Sequence, residues 1–203
     1  MEISMSHHKK RRQRGFSIIE LLAAIIIMAV GLLGIAALMS QMNVGTAESR
    51  YMSTEAMLAS EKLEDLNRYP SNDPSVAAPG GVAGSLTADQ SQSVTVGAVT
   101  ENVDYFDTVQ LSSGNGSISE VVTGTDAGGA PTYTTITHRP DGTVTSTTAN
   151  GTPPAPTSDM LAYKRRWVIE QDVPVTGVRR ITVLISLQSV PNQTTFQTSM
   201  VRP

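Results

Sequence analysis

Residues 16–39, FSIIELLAAIIIMAVGLLGIAALM, are apolar or small except for Ser17 and Glu20. No other feature limits this chain's folding choices as strongly. Wound into a helix, these 24 residues extend about 36 Å, enough to cross a hydrocarbon core of roughly 30 Å. A secretory signal peptide fits less well. Its apolar region usually runs to about 7–15 residues before a small-residue cleavage site, whereas this run is longer and continues into ALMSQM. A twin-arginine signal matches only the arginine pair of RRQRGF.

Charge gives the run a direction. Residues 1–15 hold Lys9, Lys10, Arg11, Arg12 and Arg14 against Glu2, a balance of +4. The chain's formal charge is −3, so everything after Gly15 sums to −3 − 4 = −7. Basic flanks stay on the cytoplasmic side, which sends the rest of the chain across the membrane. The acidic remainder argues against nucleic acid as a partner of the head, since phosphate contacts need clustered Lys and Arg.

The helical pattern continues past the apolar run. In RYMSTEAMLASEKLEDLNRY, Met52, Ala56, Ala59, Leu63 and Leu66 recur at spacings of 4, 3, 4 and 3. That is a narrow apolar stripe on one helix face. Glu48, Glu55, Lys62 and Arg68 are then expected to face water or neighbouring subunits. Pro70 ends the pattern, with Pro74 and Pro79 beyond it, so the helix should stop near Tyr69. A continuous helix over 16–69 would have 54 residues and a length of about 80 Å. Gly31 and Gly34 interrupt its apolar half. Each costs about 1 kcal/mol of helix stability relative to alanine. Two readings stay open for them: close packing between helices or a point where the helix can loosen.

From residue 70 the composition turns to Gly, Thr, Ser and Pro. PSNDPSVAAPGGVAGSLTADQ reads as a loop, followed by β-leaning pieces SVTVGAV, DYFDTVQL, SISEVVT and TYTTIT. RPDGTV supplies an Asp-Gly turn, and TTANGTPPAPTSD reads as a second loop. The clearest strands come last. Tyr163, Arg165, Trp167 and Ile169 alternate with Lys164, Arg166 and Val168; Ile181, Val183, Ile185 and Leu187 keep period two, as do Phe196, Thr198 and Met200. Three such strands on short connections predict an antiparallel meander, whose apolar face needs the Met52–Leu66 stripe as its cover.

Motifs for catalysis are missing from the sequence. It has no cysteine and no P-loop, H-E-x-x-H, EF-hand or G-x-S-x-G pattern. His138, the one histidine outside the leader, sits beside an Arg-Pro turn and reads as a surface residue. Asp104, Asp107, Asp126 and Asp141 read as solvated loop residues, although a calcium ion held by loop oxygens would need no fixed motif. Arg165, Arg166, Arg179 and Arg180 read as solvating the open face of the sheet. The expectation is therefore no enzyme, no cofactor and no metal.

Glu20 remains to be explained. A lone carboxylate in hydrocarbon costs on the order of 2.5–3.5 kcal/mol. Placement near the head groups would lessen that cost without giving the acid a purpose. A cut between Gly15 and Phe16 would instead place a new terminal amine at the same depth, where it could pair with Glu20 of its own chain or a neighbour's. Buried charges persist when paired, and the pair would report helix register.

RGFSIIELLAAIIIMAVGLLGIAAL resembles type IV pilin and pseudopilin precursors, whose basic leader ends in Gly and is followed by Phe, an apolar helix and Glu as the fifth mature residue. Gly15, Phe16 and Glu20 match those positions. The resemblance implies cleavage after Gly15 by a prepilin peptidase that also N-methylates Phe16, and a role for Glu20 in assembly and register. It implies an α+β lollipop: a cleaved leader at 1–15, a helix at 16–69 (transmembrane over 16–39, amphipathic over 40–69) and a β-rich head at 70–203. Within the family, GLLGIAAL and the late RRWVIEQ, VRRITVLISLQ and TTFQTSMVRP look most like the PilV group of minor pilins. The implied partners are the peptidase, other minor and major pilins through the helix, an inner-membrane assembly platform, and lipid before assembly. The implied location is the bacterial inner membrane, with the head in the periplasm, and then a pilus or pseudopilus at the cell surface. The alternatives are a minor pseudopilin of type II secretion, an anchored binding module for adhesion or DNA uptake at a pilus tip, and a simple single-pass envelope protein.

Overall fold

Helix α1 (Ile18–Arg68) takes up both the apolar run and the stretch after it. The computed structural model describes residues 17–112, 114, 116–157, 159–188 and 194–203; the expectations for Gly15 and Phe16 fall outside these. The chain divides into two units, one ending at Ala47 and one running from Glu48 to Pro203. In the first, every described residue is exposed, including Ile18, Ile25 and Leu33.

In the second unit the end of α1 is followed by β1 (Val82–Gly84), β2 (Ser91–Val96), β3 (Val99–Asp104), β4 (Phe106–Ser112), β5 (Ile118–Thr125), β6 (Pro131–His138), β7 (Val144–Asn150), β8 (Met160–Gln171), β9 (Arg179–Leu187) and β10 (Thr195–Arg202). The main sheet runs β10-β9-β8-β4-β5-β6-β7, and β2-β3 is a separate hairpin. β8 is the spine. It pairs along one side with β9, and along the other with β4 over Met160–Arg166 and β1 over Val168–Glu170, always antiparallel. This is the expected α+β class, a long N-terminal helix followed by an antiparallel head, and β8-β9-β10 is the expected meander.

The core forms where Leu58, Ala59, Leu63 and Leu66 of α1 meet Tyr163, Trp167, Ile169, Ile181, Val183, Ile185 and Leu187 of the meander. α1 ends before Pro70, and the Arg202 guanidinium donates to the carbonyls of Leu66 (3.2 Å) and Asn67 (3.4 Å). Those carbonyls lack helical partners, and a cationic donor there satisfies them.

Several expectations are corrected. The covered face of α1 is rotated from the predicted stripe: Met52 is 43% exposed, while Glu55 is fully buried and Lys62 is largely buried. Residues 70–90 are mostly the expected loop, but part of it is ordered and buried. Asp73 caps a 3-10 turn at Pro74–Val76 by accepting from the Ser75 amide at 2.9 Å, and Val76, Ala77, Ala78 and Ala83 enter the core. SVTVGAV is two strands, turning at Gly97 with φ +62°. The second loop begins only after Asn150, where β7 ends.

Two charge assignments also change. Asp107 and Arg165 are buried, not solvated. The guanidinium forks onto the carboxylate, Nε to Oδ1 at 2.6 Å and Nη2 to Oδ2 at 2.7 Å, and Nη2 also reaches Glu120 Oε1 at 2.9 Å. Lys62 Nζ stands 3.3 Å from Asp107 Oδ2 and 4.3 Å from the centre of the Trp167 ring. Burial works to raise the Asp107 carboxyl, but Lys62 and Arg165 outweigh it and hold it below the usual carboxylate range. Arg166, by contrast, is part-exposed and pairs with Asp89 (2.8 Å), and Arg180 clasps Glu170 (2.7 and 3.0 Å).

Candidate functional site

Helix formation begins at Ser17, whose carbonyl accepts from the Leu21 amide at 3.2 Å. Ser17's own amide donates to Glu20 Oε2 at 3.1 Å. This is the backward half of a capping box, in which the residue three positions into the helix returns to the amide before it. The carboxylate also meets the positive end of the helix dipole, worth about 0.3–1 kcal/mol. Set against an insertion cost of roughly 2.5–3.5 kcal/mol, capping offsets the smaller part. The carboxylate thus holds one backbone amide through Oε2. Ser17 was passed over as a partner, although its Ser-x-x-Glu spacing before an apolar run is a capping signature visible in the sequence.

Gly31 and Gly34 lie on α1 further along the run, and a Cβ built at either meets nothing within 4 Å. Around them, Ile26, Ile27, Met28, Val30, Leu32 and Ile35 stay more than half exposed. The helix is long and apolar enough to cross a membrane by length and composition.

A family model described as the prokaryotic N-terminal methylation motif matches residues 10–36. The motif supports a type IV pilin-like precursor. Gly15, Phe16, Ser17, Glu20, Gly31 and Gly34 all lie inside the match, and the head lies outside it. No curated protein and no solved structure matches the chain. Motif and apolar helix together are consistent with a membrane-anchored single-pass protein of a structural, pilin-type class.

In the head, no group of three or more His, Asp or Glu among the described residues is placed to hold a metal ion. Asp126 and Asp141 are spent on their own turns, accepting from the amides of Gly128 and Ala130 and of Thr143. His138 ends β6, half-buried. A groove of about 450 Å³ is bounded by Ser71, Gly81, Gly97, Asp172 and Arg179, among others. The Arg179 side chain is held there by Gln171 Oε1 at 3.2 Å and the Ser71 carbonyl at 3.1 Å.

Proposed function

We propose that this chain is a minor type IV pilin of the PilV kind, a structural subunit that takes part in pilus assembly and priming. The motif at 10–36 supports the pilin or pseudopilin precursor part of this reading, with Glu20 turned back on the helix start; the minor, PilV-like part rests on the resemblance of GLLGIAAL and the late strands. A prepilin peptidase would cut between Gly15 and Phe16 and methylate the amine it frees. That amine belongs to the residue just before Ser17, whose amide the carboxylate holds, so Glu20 can serve it within one chain or between chains. In lipid the exposed apolar face of α1 meets hydrocarbon; in a filament it would meet helices of other minor and major pilins. That exchange gains little hydrophobic energy, which leaves the charge pair to select register. The leader would stay cytoplasmic and the head periplasmic until the inner-membrane assembly platform draws the subunit into a filament.

The deciding experiment expresses the full chain with a prepilin peptidase and reads the product's N-terminus by mass spectrometry. N-methylphenylalanine from Phe16 is the expected result; an intact N-terminus beside active peptidase would overturn the reading. Incorporation into pili rather than into a type II secretion pseudopilus, scored in cells carrying one system or the other, separates the two machines that process such precursors.

A further inference from the structure

The main sheet has two edge strands, β10 and β7, and they differ in charge and in their ties to α1: β10 carries Arg202, whereas β7 carries no charged residue. At the β10 end, Arg202 is tied to Leu66 and Asn67, and Thr194 donates to Glu55 at 3.0 Å. Among the described residues β7 pairs with β6 and nothing beyond it, and all seven of its residues, VTSTTAN, are exposed. Its side-chain bonds turn back to β6: the Thr148 and Thr134 hydroxyls lie 2.9 Å apart, and Thr147 Oγ1 donates to the Thr135 carbonyl at 3.5 Å.

The β6–β7 ladder identifies the free backbone groups. Arg139 N donates to Thr143 O at 3.0 Å at one end, and Gly151 N donates to Pro131 O at 2.7 Å at the other. Residues of an antiparallel strand alternate between bonding the partner and pointing away from it. Thr145, Thr147 and Ala149 therefore bond β6, while Val144, Ser146, Thr148 and Asn150 turn their amides and carbonyls outward. Proteins ordinarily block such an edge with Lys, Pro, a bulge or a covering element. β7 has no charge and no proline, and its register with β6 is unbroken from Val144↔His138 to Asn150↔Thr132.

We propose that the outer edge of β7 pairs antiparallel with β7 of a second copy of this chain. Self-pairing of an uncharged strand brings no like charges face to face, whereas like charges directly opposite are destabilising. Elsewhere residues 48–203 carry 16 acidic against 10 basic side chains, so a second acidic head is repelled from most other approaches. Pairing centred on Thr147 sets Ser146 opposite Thr148, repeating the hydroxyl contact already made by Thr134 and Thr148. A two-fold seam of this kind consumes both edges and closes the assembly. Thr145, Thr147 and Ala149 would occupy non-hydrogen-bonded sites across it, with opposed Cα atoms about 4.5 Å apart, a separation a disulfide can bridge.

The chain has no cysteine, so Thr145→Cys, Thr147→Cys and Ala149→Cys, each alone in the membrane-embedded full chain, report the seam by mild oxidation and a non-reducing gel. Asn102→Cys, exposed on β3, measures random collision. The expected result is a band at twice the chain mass for one of the three β7 variants, well above the collision control. Adding Ser146→Pro, which removes an outward donor but no backbone bond to β6, should return it to the control level. So should Ser146→Lys, which keeps the amide. Control-level dimer in all three variants, a dimer indifferent to both Ser146 changes, or a crosslink only to a protein of another mass would each overturn the proposal.

Discussion

Glu55 and Asp107 are both buried carboxylates, and their surroundings push them in opposite directions. Glu55 accepts from Thr194, but its Oε2 has no partner among the described residues, and burial raises its carboxyl against the bonds from Thr194 and the Leu187 backbone. A raised carboxyl favours the neutral form in the fold. Its stabilising effect is full below the ordinary Glu value of about 4.3 and fades as pH climbs through the folded value. Glu55→Gln should therefore melt higher than the parent at pH 7 and converge with it near pH 4; the same offset at both pH values would refute this. Asp107 runs the other way. Lowered by Lys62 and Arg165 against its burial, it contributes stability above about pH 3.9 and loses it as pH falls through the folded value. Asp107→Asn leaves Arg165 and Lys62 undercompensated in the interior, a loss of about 3–5 kcal/mol. For a chain of this size that is a fall in Tm on the order of 10 °C at pH 7, read by circular dichroism, with the acid-induced loss blunted. Neither acid could be placed from sequence. By residue type Glu55 and Lys62 are expected to face water or neighbouring subunits, and their partners Thr194 and Asp107 stand far along the chain.

At the scale of elements, legibility followed how local the determining contacts are. β8 and β9 announce themselves by period-two alternation because their apolar residues are largely buried, and β10 does so with a face that alternates between half-buried and exposed. The break between β2 and β3 is hidden because Gly97-Ala98 is not the Asn-Gly or Asp-Gly pair that marks tight hairpins, and Val-Thr residues flank it on both sides. Residues 70–90 read as loop because three prolines and three glycines punctuate them among Ser, Asn and Asp. Those residues supply a capped turn and a three-residue strand on β8, a pairing no local window contains. Gly84 is where that strand is most constrained. Its φ is +83°, and a Cβ there would lie 2.4 Å from the Trp167 carbonyl and under 3 Å from the Tyr105 side chain. A left-handed non-glycine residue alone costs roughly 1–2 kcal/mol, and backbone on one side leaves no room to yield. Gly84→Ala should lower Tm by several degrees and increase protease sensitivity of the head. Gly80→Ala, in open space, should leave both unchanged; equal behaviour of the two variants would refute the account.

At the scale of the whole molecule, the question is what Glu20 does inside the apolar run. The acid stands out inside an apolar run, while its bond to the Ser17 amide is signalled only by the Ser-x-x-Glu spacing. That bond makes two roles separable. Capping requires an acceptor oxygen, which glutamine retains and alanine lacks. Register selection requires a charge, which both lack. If pairing between the Phe16 amine and Glu20 aligns neighbouring helices, a slip of one turn strands two charges, the carboxylate alone costing on the order of 2.5–3.5 kcal/mol. Glu20→Ala and Glu20→Gln should then insert and be cleaved like the parent, because the basic leader and the apolar run that direct insertion are untouched. Both should incorporate poorly into filaments at native expression, measured by immunoblot of sheared pili against the membrane fraction. Normal incorporation of Glu20→Gln beside failure of Glu20→Ala would reduce Glu20 to a helix cap. Normal incorporation of both would remove it from assembly altogether and leave its position in the apolar run without a mechanism.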